Sequence, residues 1–277
     1  MAGPRILCLH GGGTNANIFR AQCRALESIL SPSTTKLSPG QDRPARFRLV
    51  YVDAPFMSAP HPDIISVYGS EGPFRRWLRW KTDHADCDGL TTAKLIMDAL
   101  RGAMADDDAK LERDGETAGE WVGIMGFSQG AKIAMSVLWA QEHLADPAFP
   151  MEIPWLNAKF RFGVIIAGRA PIIDLGTGTP RVRGIGDPAE LTLDFENWPQ
   201  DGETAHMLHS IPTVHVHGSK DPGMPHHQKL FKEYCAPGTA TLVEWGGGHR
   251  LPFASSDIMM IAERIFEAAR QLGMFWQ

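Results

Sequence analysis

Six short apolar runs recur along this 277-residue chain, and their spacing limits the possible folds more than any other feature of the sequence. Most of the runs are continuous rather than alternating, which is typical of parallel strands covered by helices on both faces. They occupy residues 6–10, 47–53, 121–127, 162–167, 213–217 and 241–245. We therefore interpret them as six buried strands.

Between these runs, apolar residues recur at the spacing of one helix face. One such stripe follows the third run and consists of Ile133, Val137, Ala140 and Leu144. A second lies near the end of the chain and consists of Ile258, Ile261, Ile265, Ala268 and Leu272. Strands that alternate with helices predict an α/β fold, with a mostly parallel sheet of about six strands and helices on both of its faces.

The length of the chain suits one large domain with a well-buried core, although two small domains would also fit. We predict a single α/β domain over residues 1–277. Residues 31–46 are rich in Ser, Thr and Pro, and we expect them to form an exposed loop. Residues 169–209 combine many Gly and Pro residues with no clear periodicity, which is typical of a lid or substrate loop inserted into a compact domain.

Composition and charge exclude several classes of protein. A formal net charge of −5 argues against nucleic acid as the main partner, because phosphate binding requires a basic surface. We find neither a signal-peptide pattern nor the roughly 18 continuous apolar residues of a membrane span, so we expect a cytoplasmic enzyme with no membrane partner. The four cysteines show no CxxC pairing and no zinc-like spacing, and we interpret them as reduced thiols.

The sequence Gly126-Phe127-Ser128-Gln129-Gly130 has the GxSxG pattern of a nucleophile elbow. It follows a predicted strand and precedes a helical stripe, which is the context that such an elbow requires. A serine at this tight turn has a strained backbone, and small neighbours allow the turn to close. The start of the following helix also favours negative charge. Because the pattern can also occur by chance, this context is what identifies Ser128 as the candidate nucleophile.

A glycine-rich run, HGGG at residues 10–13, ends the first predicted strand. Without Cβ atoms, its backbone N–H groups can approach an oxyanion closely. Such a loop can also bind phosphate or form a purely structural turn, but the sequence completes neither GxGxxG nor GxxxxGK[ST]. With Ser128 as nucleophile, we interpret the run as an oxyanion loop. The N–H groups of Gly12 and Gln129 would then bind the developing negative charge.

Two further candidates follow in the order nucleophile, acid, histidine that an α/β-hydrolase requires. Asp221 lies in the segment HGSKDP, just beyond the fifth predicted strand, and His249 lies in GGGH, just beyond the sixth. Because the carboxyl ends of parallel strands meet at one edge of a sheet, we expect Ser128, Asp221 and His249 to converge there. His249 would remove the Ser128 proton, and Asp221 would orient the imidazole.

These motifs resemble those of the fungal serine-hydrolase family of the α/β-hydrolase superfamily, which includes stand-alone polyketide-releasing thioesterases. LCLHGGGTNA, GFSQGA, HGSKDP and GGGH match in order, and the resemblance covers most of the chain. It implies a compact form of the hydrolase fold, hydrolysis of a carboxylic ester or thioester, neither metal nor organic cofactor, and a place in secondary metabolism such as polyketide biosynthesis. One departure is a pair of prolines near Asp221, which we expect to stiffen the acid loop.

Two weaker features concern possible partners. The segment RRWLRWK at residues 75–81 could contact an acidic acyl-carrier domain of a synthase or the phosphate of a pantetheine arm. The interpretation that we favour is an exposed loop whose two tryptophans pack on the core. We interpret the pair His226-His227 as a solvated turn. Whichever interpretation of segment 75–81 is correct, the partner that we expect is a small-molecule acyl ester or thioester.

Three alternatives stay open at this point. A general short-chain carboxylesterase would use the same residues with a different acyl pocket. A metal-dependent hydrolase is suggested by His215 and His217 on one strand face, but the binuclear HxHxDH motif and HExxH are both missing. A non-catalytic binding protein on the same fold would not need all three triad residues, which this chain has.

Overall fold

A sheet of six strands lies at the centre of the computed structural model, which describes residues 3–31, 46–149, 151–191 and 195–274. The strands of these ranges are β1 (Arg5–Leu9), β2 (Arg48–Val52), β3 (Phe56–Ser58), β4 (Phe74–Arg76), β5 (Trp121–Phe127), β6 (Phe162–Ile166), β7 (Ile172–Ile173), β8 (Ile185–Gly186), β9 (Thr213–Gly218) and β10 (Ala240–Trp245). The helices are α1 (Ala16–Leu30), α2 (Ile65–Tyr68), α3 (Gly89–Arg113), α4 (Gln129–Glu142), α5 (Met224–Glu233) and α6 (Ser255–Gln271), with a 3₁₀ turn at Pro62–Ile64.

All neighbouring strands of the central sheet run parallel, in the order β10-β9-β6-β5-β1-β2. Each of the six apolar runs in the sequence corresponds to one of these strands, so the predicted α/β sheet is confirmed. Every residue of β1, β5, β6 and β9 is buried. Strands that are covered on both faces need apolar side chains on both, which explains why their sequences are continuous rather than alternating.

Helices cover both faces of the sheet, and each face has its own hydrophobic cluster. On one face, α1 and α6 contribute buried residues such as Phe19 and Ile261. On the other, α3 and α4 contribute Ile96, Ile133 and Val137. In the described ranges, no helix is both long enough and apolar enough to cross a bilayer.

The segment 169–209, predicted to be an insertion, contains the small parallel sheet formed by β7 and β8. Its buried residues Ile172, Leu175 and Ile185 belong to the same hydrophobic cluster as α4. Residues 192–194 of this segment lie outside the described residues, as do residues 32–45 of the predicted loop 31–46. A role for the segment as a lid stays a prediction.

The parallel sheet places the ends of several strands at one edge. The HGGG run follows β1, Ser128 follows β5, Asp221 lies three residues after β9, and His249 lies four residues after β10. The loops that leave this edge of an open α/β sheet usually form its ligand site. The fold therefore brings the predicted residues to the same side of the molecule.

Candidate active site

Ser128 stands at a sharp turn between β5 and α4, with backbone angles φ 53° and ψ −115°. A residue other than glycine in this region costs about 1–3 kcal/mol, so the surrounding structure has to hold it there. The Ser128 N–H donates to the Ile166 carbonyl oxygen at 2.9 Å, and the Ser128 carbonyl accepts from the N–H of Lys132 at 3.2 Å. These bonds fix the turn between strand and helix and leave the side chain free to project from it.

The two glycines of the GxSxG pattern let β5, α4 and β1 approach one another. A Cβ atom on Gly126 would lie 2.2 Å from the Gly130 carbonyl oxygen. One on Gly130 would lie 2.2 Å from the Leu9 carbonyl oxygen. Both contacts are with backbone atoms, which cannot rotate away as a flexible side chain can. The glycines are therefore required by packing around the serine.

Gly130→Ala is expected to lower the free energy of unfolding by about 2–3 kcal/mol, because the added methyl group forces α4 away from β1. Gly102→Ala in α3 is the matched control, since nothing lies within 4 Å of the position of its Cβ. Alanine is the better helix former, so this control should gain about 0.5–1 kcal/mol. Urea unfolding measures both. A Gly130→Ala protein as stable as the parent would contradict the close approach.

His249 lies between Ser128 and Asp221 and is within hydrogen-bond distance of each. Its Nε2 atom is 2.9 Å from Ser128 Oγ, and its Nδ1 atom is 2.7 Å from Asp221 Oδ2. With Nδ1 donating to the carboxylate, Nε2 is left as the acceptor that faces the serine hydroxyl. The structure thus brings together the three residues that the sequence predicted, although 121 positions separate Ser128 from His249.

The Asp221 carboxylate is buried and surrounded by donors. Besides His249, Oδ2 has the Nε2 atom of His227 at 2.9 Å. Oδ1 accepts from the Gly223 N–H at 2.7 Å and lies 3.8 Å from Nη2 of Arg169. Burial alone would raise the pKa of Asp221, but the two imidazoles and the Gly223 N–H hold that pKa well below its ordinary value. The carboxylate is therefore ionised at neutral pH.

The glycine-rich run packs directly against the elbow. A Cβ atom on Gly11 would lie 2.9 Å from the Phe127 ring, and one on Gly12 would lie 3.0 Å from Oε1 of Gln129. The Gly13 N–H donates to the Arg75 carbonyl oxygen at 2.8 Å and is already occupied. Gly12 and Gln129 both line the space in front of the serine, and the first N–H groups of a helix such as α4 have no partner within it.

The Gln129 side chain has a structural role that the sequence did not indicate. Its Oε1 accepts from the Trp77 N–H at 3.0 Å, and its Nε2 donates to the Leu78 carbonyl oxygen at 3.0 Å. Trp77 in turn donates from Nε1 to the His10 carbonyl oxygen at 2.8 Å. These bonds tie the segment 75–81 to both the elbow and the glycine-rich run.

Most of the segment RRWLRWK is not a free surface. Trp77 is fully buried, and Arg76 is buried with its guanidinium over the Phe56 ring. Arg79 pairs with Asp86. Trp80, by contrast, lines the cavity beside Ser128. The interpretation in which the tryptophans pack on the protein is therefore correct for Trp77, whereas Trp80 belongs to the site.

A cavity of about 440 Å³ opens in front of Ser128. Its lining is apolar and aromatic in part and also contains charged side chains of both signs. The apolar and aromatic lining residues are Ile64, Val67, Tyr68, Trp80, Phe127 and Pro222, and the charged ones are Asp63, Arg169 and Arg250. Three of these residues, Ile64, Val67 and Tyr68, belong to the 3₁₀ turn and α2. Of segment 169–209, where we expected substrate contacts, Arg169 is the one described residue that lines the cavity.

The interpretation of His226-His227 as a solvated turn is wrong for His227, whose side chain is completely buried. α5 begins at Met224, so the two histidines lie in its first turn. Successive residues of a helix point about 100° apart, and His227 consequently faces the core while His226 stays half-buried. Two adjacent histidines in the sequence did not indicate that one side chain would be buried and the other only half-buried.

Asp221, His227 and His249 form the one group of three potential metal ligands found in the described ranges, with ligand atoms within 4.8 Å of one another. His249 already contacts both Ser128 and Asp221, and His227 contacts the same carboxylate. Hydrogen bonds and charge therefore account for this cluster. His215 and His217 of the metal-hydrolase alternative are buried in β9 and do not belong to this group.

The folding stability should fall as the pH drops from about 6.5 towards 4. Burial lowers the pKa of His10 and His217 to about 4 and that of His215 to about 3. Unfolded histidines bind protons near pH 6.5, so the unfolded state holds more protons in this window. Each ring then contributes a loss of up to about 1.4 kcal/mol per pH unit. Urea unfolding at a series of pH values measures the slope.

His217→Phe is the variant that isolates one of these rings. Within the described residues, neither ring nitrogen of His217 has a hydrogen-bond partner, so the phenyl ring removes a proton site and loses no bond. The variant should show a shallower loss of stability between pH 6.5 and 4 than the parent. An unchanged slope would contradict the assignment of His217 as a buried neutral imidazole.

Comparisons with known proteins agree on one family and one fold. The family model described as serine hydrolase (FSH1) matches residues 1–261. Esterase pigG of Monascus ruber is 42% identical over 275 residues, covering 98% of this chain and 93% of the relative. Esterase citA of the same organism is 41% identical over 273 residues, covering 98% and 94%.

A solved structure, the Bacillus cereus carboxylesterase, superimposes with a TM-score of 0.50 and covers 96% of this chain and 89% of its own. Its sequence identity to this chain is 14%, so the likeness concerns the fold alone. The matches to the two esterases and to the family model extend over nearly the whole sequence, and the range matched by the family model contains Ser128, Asp221 and His249.

Proposed function

The chain is a serine hydrolase and belongs to the FSH1 family, and we propose that it cleaves a carboxylic ester or thioester with Ser128 as nucleophile, His249 as general base and Asp221 as the acid that orients it. The family resemblance inferred from the sequence motifs is confirmed by the family match. The observation that carries the assignment of roles is the position of His249. Its two ring nitrogens lie 2.9 Å from the serine hydroxyl and 2.7 Å from the carboxylate.

In the first half of the proposed reaction, Ser128 Oγ attacks the acyl carbonyl carbon while its proton passes to His249 Nε2. Asp221, ionised and within 2.7 Å of Nδ1, stabilises the imidazolium that forms. The imidazolium then gives this proton to the departing alcohol or thiol, and an acyl-enzyme ester remains on Ser128. A water molecule repeats the attack, with His249 again as base, and releases the acid.

The carbonyl oxygen becomes an oxyanion in each half-reaction. We assign its binding to the N–H groups of Gly12 and Gln129. The occupation of the neighbouring Gly13 N–H by Arg75 and the position of Gln129 at the start of α4 support this pair. Donors of this kind typically contribute about 3 kcal/mol each to the transition state, because they are fixed before charge develops.

The substrate is a small-molecule ester, and we propose an apolar acyl group for it. Ile64, Val67, Tyr68 and Trp80 support this choice, because they line the cavity in which the acyl chain would lie. An acyl thioester of secondary metabolism, such as a polyketide chain, is the finer form of the proposal. In this form an acyl-carrier domain is the candidate partner, and the cytoplasm is the expected location.

The test is kcat/KM on matched acyl thioesters and oxygen esters of several chain lengths. The proposal predicts turnover of one or both series, increasing with chain length until the cavity is filled. Preference for thioesters, strengthened when the same acyl group is loaded on a carrier domain, would favour the finer form. Preference for short oxygen esters would favour a general carboxylesterase. The absence of turnover in both series would contradict the proposal and favour a binding protein.

A further inference from the structure

His227 contacts the same carboxylate oxygen as His249. Its Nε2 atom lies 2.9 Å from Asp221 Oδ2, which is also 2.7 Å from Nδ1 of His249. The two imidazole rings are nearly parallel, with planes 11° apart and centroids 6.2 Å apart. Asp221 and His227 are both completely enclosed, whereas the His249 side chain keeps some exposure. The acid of the proposed triad therefore has two histidine neighbours rather than one.

The other nitrogen of His227 defines the protonation state of the ring. Nδ1 lies 2.8 Å from the Gly168 carbonyl oxygen, which can only accept a hydrogen bond, so Nδ1 carries a proton. A neutral ring would then present the lone pair of Nε2 to an ionised carboxylate at 2.9 Å, which is repulsive. With protons on both nitrogens, the ring is a cation beside an anion. The Nε2–Oδ2 contact is an ion pair rather than a linear hydrogen bond.

We propose that His227 is a positioning residue that acts through Asp221: as a buried imidazolium it fixes the carboxylate for His249 and opposes protonation of His249 on the free enzyme. The inference rests on the proposed triad. A cation next to Asp221 offsets part of the negative charge that would otherwise stabilise a protonated His249. The base is thereby kept neutral, and ready to accept the serine proton, at lower pH.

The charges around His227 are consistent with this role. Arg169 approaches the opposite oxygen of Asp221 at 3.8 Å, so a cation lies near each side of the carboxylate. His217 on β9 has its ring centroid 5.5 Å from that of His227, and His215 lies beyond it. Burial lowers the pKa of both rings, and it also lowers the pKa of half-buried His226. At neutral pH these three are uncharged and do not replace His227.

His227→Gln and His227→Phe test the proposal through the pH dependence of kcat/KM. Both remove the positive charge, and the expected result is a shift of the acid-limb midpoint to higher pH by about one unit. The plateau value of kcat should fall about tenfold, with a smaller change in KM, because Asp221 Oδ2 loses one of its two imidazole neighbours. A residue that merely fills space would be replaced by phenylalanine without any shift of the midpoint.

His226→Gln is the matched control. It is the adjacent histidine on α5, its ring packs near Trp198, and it is not among the side chains that contact the Asp221 carboxylate. Its acid-limb midpoint should equal that of the parent. Circular dichroism and thermal unfolding establish that all three variants are folded. An unchanged midpoint in folded His227→Gln and His227→Phe, or an equal shift in His226→Gln, would overturn the proposal.

A second measurement needs no turnover and no stable variant. Nitrogen-15 NMR of the histidine rings distinguishes an imidazolium from either neutral tautomer. We expect one buried imidazolium at pH 7.5 that is assigned to His227 by its proximity to the Gly168 and Asp221 signals. A neutral His227 ring would overturn the proposal. Because this result is independent of activity, a failure of the proposed triad and a failure of the role of His227 are distinguishable.

Discussion

Ser128→Ala is expected to lower kcat for ester or thioester hydrolysis by about 10⁴–10⁶-fold. Ser128 Oγ lies 2.9 Å from His249 Nε2, and among the described residues no other hydroxyl forms a hydrogen bond with this nitrogen. No other side chain can therefore take over the attack. The fold should persist, because the backbone bonds of the elbow remain and alanine occupies the same strained φ of 53°. Substrate binding should change little, since the cavity keeps its lining.

The measurement is kcat on purified variant protein, combined with mass spectrometry after reaction with a fluorophosphonate. The parent should carry one adduct, located on Ser128, and Ser128→Ala should carry none. Ser136→Ala is the matched control: it removes a buried hydroxyl from α4, the helix that Ser128 precedes, and the bonds of this hydroxyl go to Lys132 and Ile173. Its kcat/KM should stay within about twofold of the parent. If the kcat of Ser128→Ala were within tenfold of the parent value, the assignment of Ser128 as nucleophile would be refuted.

Asp221→Asn is expected to lower kcat by about 10⁴-fold while leaving the size of the side chain unchanged. An amide can present its N–H to Nδ1 of His249, which then accepts, and the proton moves to Nε2. In that tautomer Nε2 cannot take the Ser128 proton. The loss of charge also leaves the neighbouring cations Arg169 and His227 without their anion, so the free energy of unfolding should fall by about 3 kcal/mol.

Asp174→Asn provides the comparison for this substitution. Its carboxylate accepts from the N–H groups of Gly176 and Thr177 and does not line the cavity in front of Ser128. Its kcat should equal that of the parent even where its stability is reduced. If Asp221→Asn retained more than about a tenth of the parent kcat, another acid would have to orient His249, and the assignment of Asp221 would be rejected.

The central sheet and the family were predictable from sequence because their signals are local. The apolar runs of β1, β5, β6 and β9 are continuous, since both faces of these strands are covered, and such runs need no knowledge of distant residues. The nucleophile elbow is equally local. Its two glycines and the serine lie within five positions, and the contact that requires Gly126 is with the adjoining helix, whereas the contact that requires Gly130 is with the distant strand β1.

The convergence of Ser128, Asp221 and His249 was predictable for a different reason. Each candidate follows a predicted strand, and parallel strands bring their carboxyl ends to one edge of the sheet. The strand topology alone therefore predicts that the three residues lie close together. The atom-to-atom contacts of His249 could not be deduced in this way. A loop after a strand can point a side chain towards the cavity or away from it, and 28 positions separate His249 from Asp221.

By itself, therefore, the sequence determined the α/β sheet, because apolar residues repeat with the period of a strand or a helix. It also determined the serine-hydrolase family and the identities of the candidate residues, because short motifs mark them. The tertiary structure alone decided the surroundings of those residues. It buried His227 against Asp221, placed Trp80 and α2 rather than most of segment 169–209 around the cavity, and used the Gln129 side chain to hold the segment that contains Trp77. These contacts join residues that are distant in sequence. Local sequence patterns do not show which of these side chains meet once the helices pack on the sheet.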